Sequence, residues 1–167
     1  MESTELDLAD RFTFAGTLLA ALGSGLIAGT FFAFSTFVMK ALGQRPPAEG
    51  LAAMQAINVV VINPAFMAVF MGTVALCLAL PVGAWWSGPM PGRAWLIAGC
   101  ALYLFGTFGV TIAFNVPLND ALAPLTPTDP AAQQQWANYL RTWTLWNHVR
   151  TAGGLAASAA FMLALRR

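Results

Sequence analysis

The stretch Phe12–Met39, FTFAGTLLAALGSGLIAGTFFAFSTFVM, decides the fold class, because it contains no charged side chain. A hydrocarbon core of about 30 Å takes about 20 apolar residues per helix, so this run is long enough to cross a bilayer. Charge is absent again from Gly50 to Gly92, from Ala94 to Asn119 and from Thr151 to Leu165. Over all 167 residues, 58% are hydrophobic and 9% charged. Soluble domains carry about 25% charge, so a soluble monomer is excluded. Disorder is excluded by the same apolar excess. A net charge of +1 lacks the basic patch that nucleic acid would require.

Backbone groups in lipid must be satisfied within the segment, and the alternation of a barrel strand is missing. The expectation is a single all-α membrane domain over residues 1–167, a four-helix transmembrane bundle with crossings near 14–40, 64–83, 94–119 and 142–165. The second uncharged run exceeds one crossing, and Asn58, Asn63 and Pro64 interrupt it. An additional amphipathic helix, interfacial and spanning about Pro47–Val61, is therefore expected ahead of the second crossing. Asn63 before Pro64 reads as a cap and first turn. The last helix is expected to start near Pro130 behind Asp129, before it enters the membrane. The acidic start, Met1–Asp10, is unlike the basic n-region of a signal peptide. Arg11, Arg93, Arg166 and Arg167 fall on one side and Lys40, Arg45 and Arg141 on the other, which favours cytoplasmic termini.

Lipid supplies no hydrophobic drive for helix association, so small residues must permit close approach. Gly16, Ala20, Ser24 and Ala28 form one row on the first helix, and Gly25, Gly29 and Ala33 a second. The last helix carries Gly153, Gly154, Ala157 and Ser158. These rows are read as packing within one chain, although the Gly25–Gly29 spacing leaves a homo-oligomer open. Cys77 and Cys100 have no metal-type spacing and read as small buried residues.

Polar groups at membrane depth carry the functional signal. Three clusters stand out: Gln55, Asn58 and Asn63; Asn115-Val116-Pro117-Leu118-Asn119-Asp120; and Trp143-Thr144-Leu145-Trp146-Asn147-His148-Val149-Arg150. In an up-down bundle all three meet at one side, with Ser35 and Thr36 in the same layer. Asn115 and Asn119 are four apart and share a helical face. Pro117 between them predicts a kink. Trp143, Asn147, Arg150 and Gly154 recur at helical spacing, in line with Trp136 and Leu140. Asp120 sits near a helix C-terminus, where negative charge is disfavoured, and Arg150 is its expected partner. Phe31, Phe32, Phe34 and Phe37 fill space or wall a cavity.

His148, the sole histidine, titrates nearest neutral pH and is the candidate base or proton shuttle, with Asp120 orienting it. If His148 and Asn147 both face inward, the polar wall is broad. One histidine and one carboxylate fall short of a metal site. A haem on His148 has no second signature, and no phosphate loop follows a strand. No cofactor is expected. The partners expected are membrane lipids and a lipophilic small molecule.

The same residues resemble the anthrone oxygenase family, bacterial membrane proteins related to fungal anthrone oxygenases. The matching pieces are Phe31-Phe32-Ala33-Phe34-Ser35, Met54-Gln55-Ala56-Ile57-Asn58 with Asn63-Pro64, Phe114-Asn115-Val116-Pro117-Leu118-Asn119, and Trp143 with Trp146-Asn147-His148-Val149-Arg150. The resemblance implies a four-helix protein of the bacterial inner membrane. It also implies oxidation of an anthrone-like or other aromatic substrate by dioxygen without a cofactor. The implied catalytic set is His148, Asp120, Arg150 and Asn147, with Asn115 and Asn119 at the same site. Asn58, Asn63, Gln55, Trp143, Trp146 and Phe34 complete the candidate substrate contacts. Arg150 or the amides would hold an oxyanion. Two rival classes use the same polar layer: a protein that binds or transports a small solute or lipid head group, and a structural membrane subunit.

Overall fold

A computed structural model describes residues 2–86 and 91–166, with side chains from 10–85 and 91–166. Arg167, counted above for orientation, lies outside the described residues. Among these residues the chain is all-helical. In order they form α1 (Glu2–Ala33), α2 (Met39–Gly43), α3 (Pro47–Val60), α4 (Pro64–Trp86), α5 (Arg93–Ala101), α6 (Val116–Leu122) and α7 (Pro130–Ala164). Wide π-helical turns at Phe34–Val38 join α1 to α2, and others at Leu102–Gly109 and Thr111–Asn115 join α5 to α6.

Three rods are long and apolar enough to cross a membrane: Asp10–Gly43, Pro64–Trp85 and Arg93–Leu122. They mark a membrane protein. Their outward faces agree, since Leu22, Leu26, Leu78 and Phe105 are all exposed, which is costly in water and favourable in lipid. The first half of α7 is too polar to join this set. Its Asp129 cap accepts from the Ala131 amide at 2.8 Å, and the apolar stretch begins further along.

α7 is the hub. It packs along α1 and along the whole of the α5–α6 rod. Close approach depends on absent side chains. A Cβ on Gly153 would stand 2.8 Å from the carbonyl carbon of Gly106, backbone against backbone with nothing able to yield. Gly153→Val should therefore cost about 1–3 kcal/mol. Thermal unfolding in detergent should register the loss. The Gly16–Ala28 row is buried, but Gly29 in the second row meets nothing within 4 Å. That part of the second row does not serve packing within the chain.

Two cores result. One, between the rods, contains Ile27, Phe31, Phe70, Leu96, Tyr103 and Phe161, with the unbridged Cys77 and Cys100. The other caps one end with Met39, Leu51, Met54, Leu122, Trp136 and Trp143. α3 closes this cap. Gln55 Nε2 donates to the carbonyls of Leu122 and Leu125 at 3.0 and 2.9 Å, satisfying acceptors that a helix end leaves free. Asn63 caps α4: its Oδ1 accepts from the Phe66 amide at 3.0 Å. Pro117 begins α6 directly after the π-wound turn. A proline ring needs room at the carbonyl four residues earlier, and the widened turn supplies it.

Candidate functional site

The two cores leave a cavity of about 250 Å³ at their junction. Its walls come from α1, α3, α4, the π-wound turns, α6 and α7. Phe31, Phe66, Phe70 and Phe108 line one part, and Met54, Phe34 and Trp143 another. Ile62, Met71, Ile112 and Val116 also line it and are exposed, so the mouth faces the apolar outer surface. The volume lies just below the about 300–1,000 Å³ of common ligand pockets.

Arg150 is the polar centre of this cavity. It is 4% exposed and has no carboxylate partner among the described residues. Nη2 donates to Asn147 Oδ1 at 2.6 Å and Nη1 to Thr111 Oγ1 at 3.4 Å. The guanidinium carbon lies 3.9 Å from the Phe31 ring centre and 4.9 Å from that of Trp143. Nε has no hydrogen-bond partner. Cation–π contacts offset part of the desolvation cost, but an unpaired buried cation is expensive and calls for an anionic or strongly polar occupant.

Asn147 holds this cation in place. It is fully buried, and its Nδ2 donates to the Phe31 carbonyl and to Ser35 Oγ, both at 2.7 Å. Its Oδ1 is thereby turned toward Arg150. Asn119 is fixed in another way. Tyr139 Oη and Trp143 Nε1 both donate to Asn119 Oδ1 at 2.8 Å. With its acceptor occupied twice, Asn119 offers the cavity only its amide N–H groups. Asn58 lines the same cavity and lies beside the Tyr139 hydroxyl. Tyr139 precedes the apolar part of α7, and burial pushes its phenol above the ordinary value. The site is thus rich in donors, carries one cation, and has no carboxylate or imidazole in its lining.

The structure therefore divides the candidate residues. Arg150, Asn119, Asn58, Trp143 and Phe34 line the cavity, with Asn147 directly behind Arg150. Asn115 is buried beside α7, donating to the Trp143 carbonyl at 3.2 Å. Gln55 and Asn63 serve helix ends. Trp146 stacks on Phe114 at 3.6 Å and does not line the cavity. His148 is not brought to Arg150. Two residues apart on a helix means about 200° of rotation, so with Arg150 inward His148 is exposed on another groove. The broad polar wall does not form. Asp120 is exposed as well, and no Asp120–Arg150 ion pair exists among the described residues. Arg150 has Asn147 and two aromatic rings instead. Tyr139 and Thr111 are not among the residues that the sequence reading singles out. Tyr139 is four residues before Trp143, and Thr111 four before Asn115, so helical spacing could have found both.

A model of the anthrone oxygenase family matches residues 66–160, more than half of the chain. The chain belongs to the anthrone oxygenase family. The match contains Arg150, Asn147, Asn119 and Trp143, whereas Phe31, Phe34 and Asn58 lie before it. No curated protein and no solved structure matches the chain.

Proposed function

We propose that this member of the anthrone oxygenase family oxidises a flat, lipophilic aromatic substrate with dioxygen, and that Arg150 holds the substrate as its oxyanion. The observation that carries the reading is the buried guanidinium facing an apolar cavity, with no carboxylate partner among the described residues. The chain's family supports an oxygenase-like role. Arg150 and the amides of Asn119 and Asn58 are donors suited to a phenolate or enolate oxygen. The aromatic and methionine walls suit the rings.

In this scheme no cavity side chain acts as base. An anthrone-type substrate has an acidic methylene, and its proton passes to water before the anion is sealed in. Binding beside Arg150 favours the ionised form. The electron-rich carbon then forms a C–O bond with dioxygen and takes up a proton, giving a hydroperoxide. Loss of the remaining C–H proton and cleavage of the O–O bond release water and leave a carbonyl. The sum is one CH₂ and one O₂ to one C=O and one H₂O, which balances without a cofactor.

In this proposal the chain lies in a bacterial inner membrane with cytoplasmic termini. The apolar half of α7 is a fourth crossing, and α3 rests at the interface. Substrate enters sideways from the lipid, past Ile62, Met71, Ile112 and Val116. The test is direct. Purified protein in detergent, given an anthrone and air, should consume oxygen and form the corresponding quinone faster than detergent alone. Binding of the anthrone without oxygen uptake would instead favour a carrier or binding protein using the same cavity.

A further inference from the structure

A second concavity, of about 640 Å³, lies on the other side of α7, between it and the α1–α2 rod. Lys40 from α2 and Arg141, Thr144 and His148 from α7 line it, above the apolar side chains of Leu140 and Leu145. Arg141 and His148 are seven apart and so lie on one face of α7. Lys40, Arg141 and His148 are all exposed. No carboxylate joins them in the lining. Glu49 lies outside the lining and pairs with Arg45, whose Nη2 contacts its Oε2 at 2.5 Å. A chain with net charge +1 thus gathers two permanent cations and an imidazole in one groove.

The position of the groove matters as much as its charge. Lys40 lies near the end of the membrane-crossing rod Asp10–Gly43. Arg141 lies where α7 passes from its glutamine-rich start to its apolar stretch. Leu145 and Phe37, both exposed, continue the surface away from the cations. A ligand here meets positive charge at one end and hydrocarbon at the other. We propose that this groove binds an anionic phospholipid, its phosphate between Lys40 and Arg141 and its acyl chains along Leu145 and Phe37. The site is separate from the Arg150 cavity and does not depend on the oxygenase reading.

Native mass spectrometry of the full chain, released from detergent with phosphatidylglycerol or phosphatidylcholine of equal chain length, tests it. Phosphatidylglycerol should remain bound to the wild type far more than phosphatidylcholine. Each basic residue contributes about fivefold to such binding, so Lys40→Gln with Arg141→Gln should weaken retention by about thirtyfold. Phosphatidylcholine retention should not change. Glycerol phosphate, the anion without chains, should fail to displace the lipid. Equal retention of the two lipids on the wild type overturns the proposal, whatever the variant does. So does unchanged phosphatidylglycerol retention in the folded double variant. Displacement by glycerol phosphate at equal concentration would mean a site for free anions and would overturn the assignment to lipid.

Discussion

Arg150→Met should lower the rate of anthrone oxidation by about 10²–10³-fold, the loss seen when one oxyanion donor is removed. Methionine keeps much of the length and fills the space between Phe31 and Trp143, but it carries no charge and no donor. Replacing a buried, unpaired cation by an apolar side chain removes a desolvation cost. Against that stands the Asn147 Oδ1 left without its 2.6 Å partner, worth about 1–3 kcal/mol. The variant should therefore fold with little net change in stability while losing its activity. His148→Ala should keep its rate within about twofold, since a surface group outside the cavity contributes no transition-state contact. Oxygen uptake by the two variants separates the possibilities. A dead His148→Ala with an active Arg150→Met would return the chemistry to the outer groove and sink the cavity as the site.

The contrast between these two residues shows where the sequence could be read and where it could not. Uncharged runs gave four expected crossings, and three of them are rods long and apolar enough to span a membrane, because lipid tolerates almost nothing else and that rule needs no tertiary knowledge. The spacing of Trp136, Trp143, Asn147, Arg150 and Gly154 on α7 is legible for a similar reason, since one helical face must pack. All five are buried, whereas Leu140, read onto the same face, is half-buried and lines the outer groove. The width of that face was not legible. It is set by how closely α7 approaches its neighbours, and Gly153 against Gly106 brings the helices so near that only a narrow stripe is enclosed. His148 falls outside the stripe. The expectation of an Asp120–Arg150 pair rests on the helix C-terminus at Asp120 and on charge, and neither says which neighbour is within reach. The aromatic faces of Phe31 and Trp143 occupy that neighbourhood instead. The Asn119 contacts depend on Tyr139, whose role needs three elements in register.

Asn147→Leu should be the most destabilising single change at the site. Leucine has the same branching and is larger, so cavity formation is not the cause. The loss lies in hydrogen bonds: the Phe31 carbonyl and Ser35 Oγ lose a donor at 2.7 Å each, and Arg150 loses its shortest acceptor. Ser35 Oγ keeps Thr151 Oγ1 at 3.3 Å and Arg150 keeps Thr111 Oγ1 at 3.4 Å, so the loss falls on the Phe31 carbonyl and the Arg150–Asn147 bond, a cost of about 2–4 kcal/mol. Thermal unfolding in detergent should show it as a large drop in Tm. The double variant Asn147→Leu with Arg150→Met discriminates between explanations. With the cation gone, Asn147 loses one of its three duties, so the second substitution should cost less in that background than in the wild type. Full additivity in this cycle would mean that Asn147 does not position Arg150, and the cavity cation would then owe its place to Phe31 and Trp143 alone.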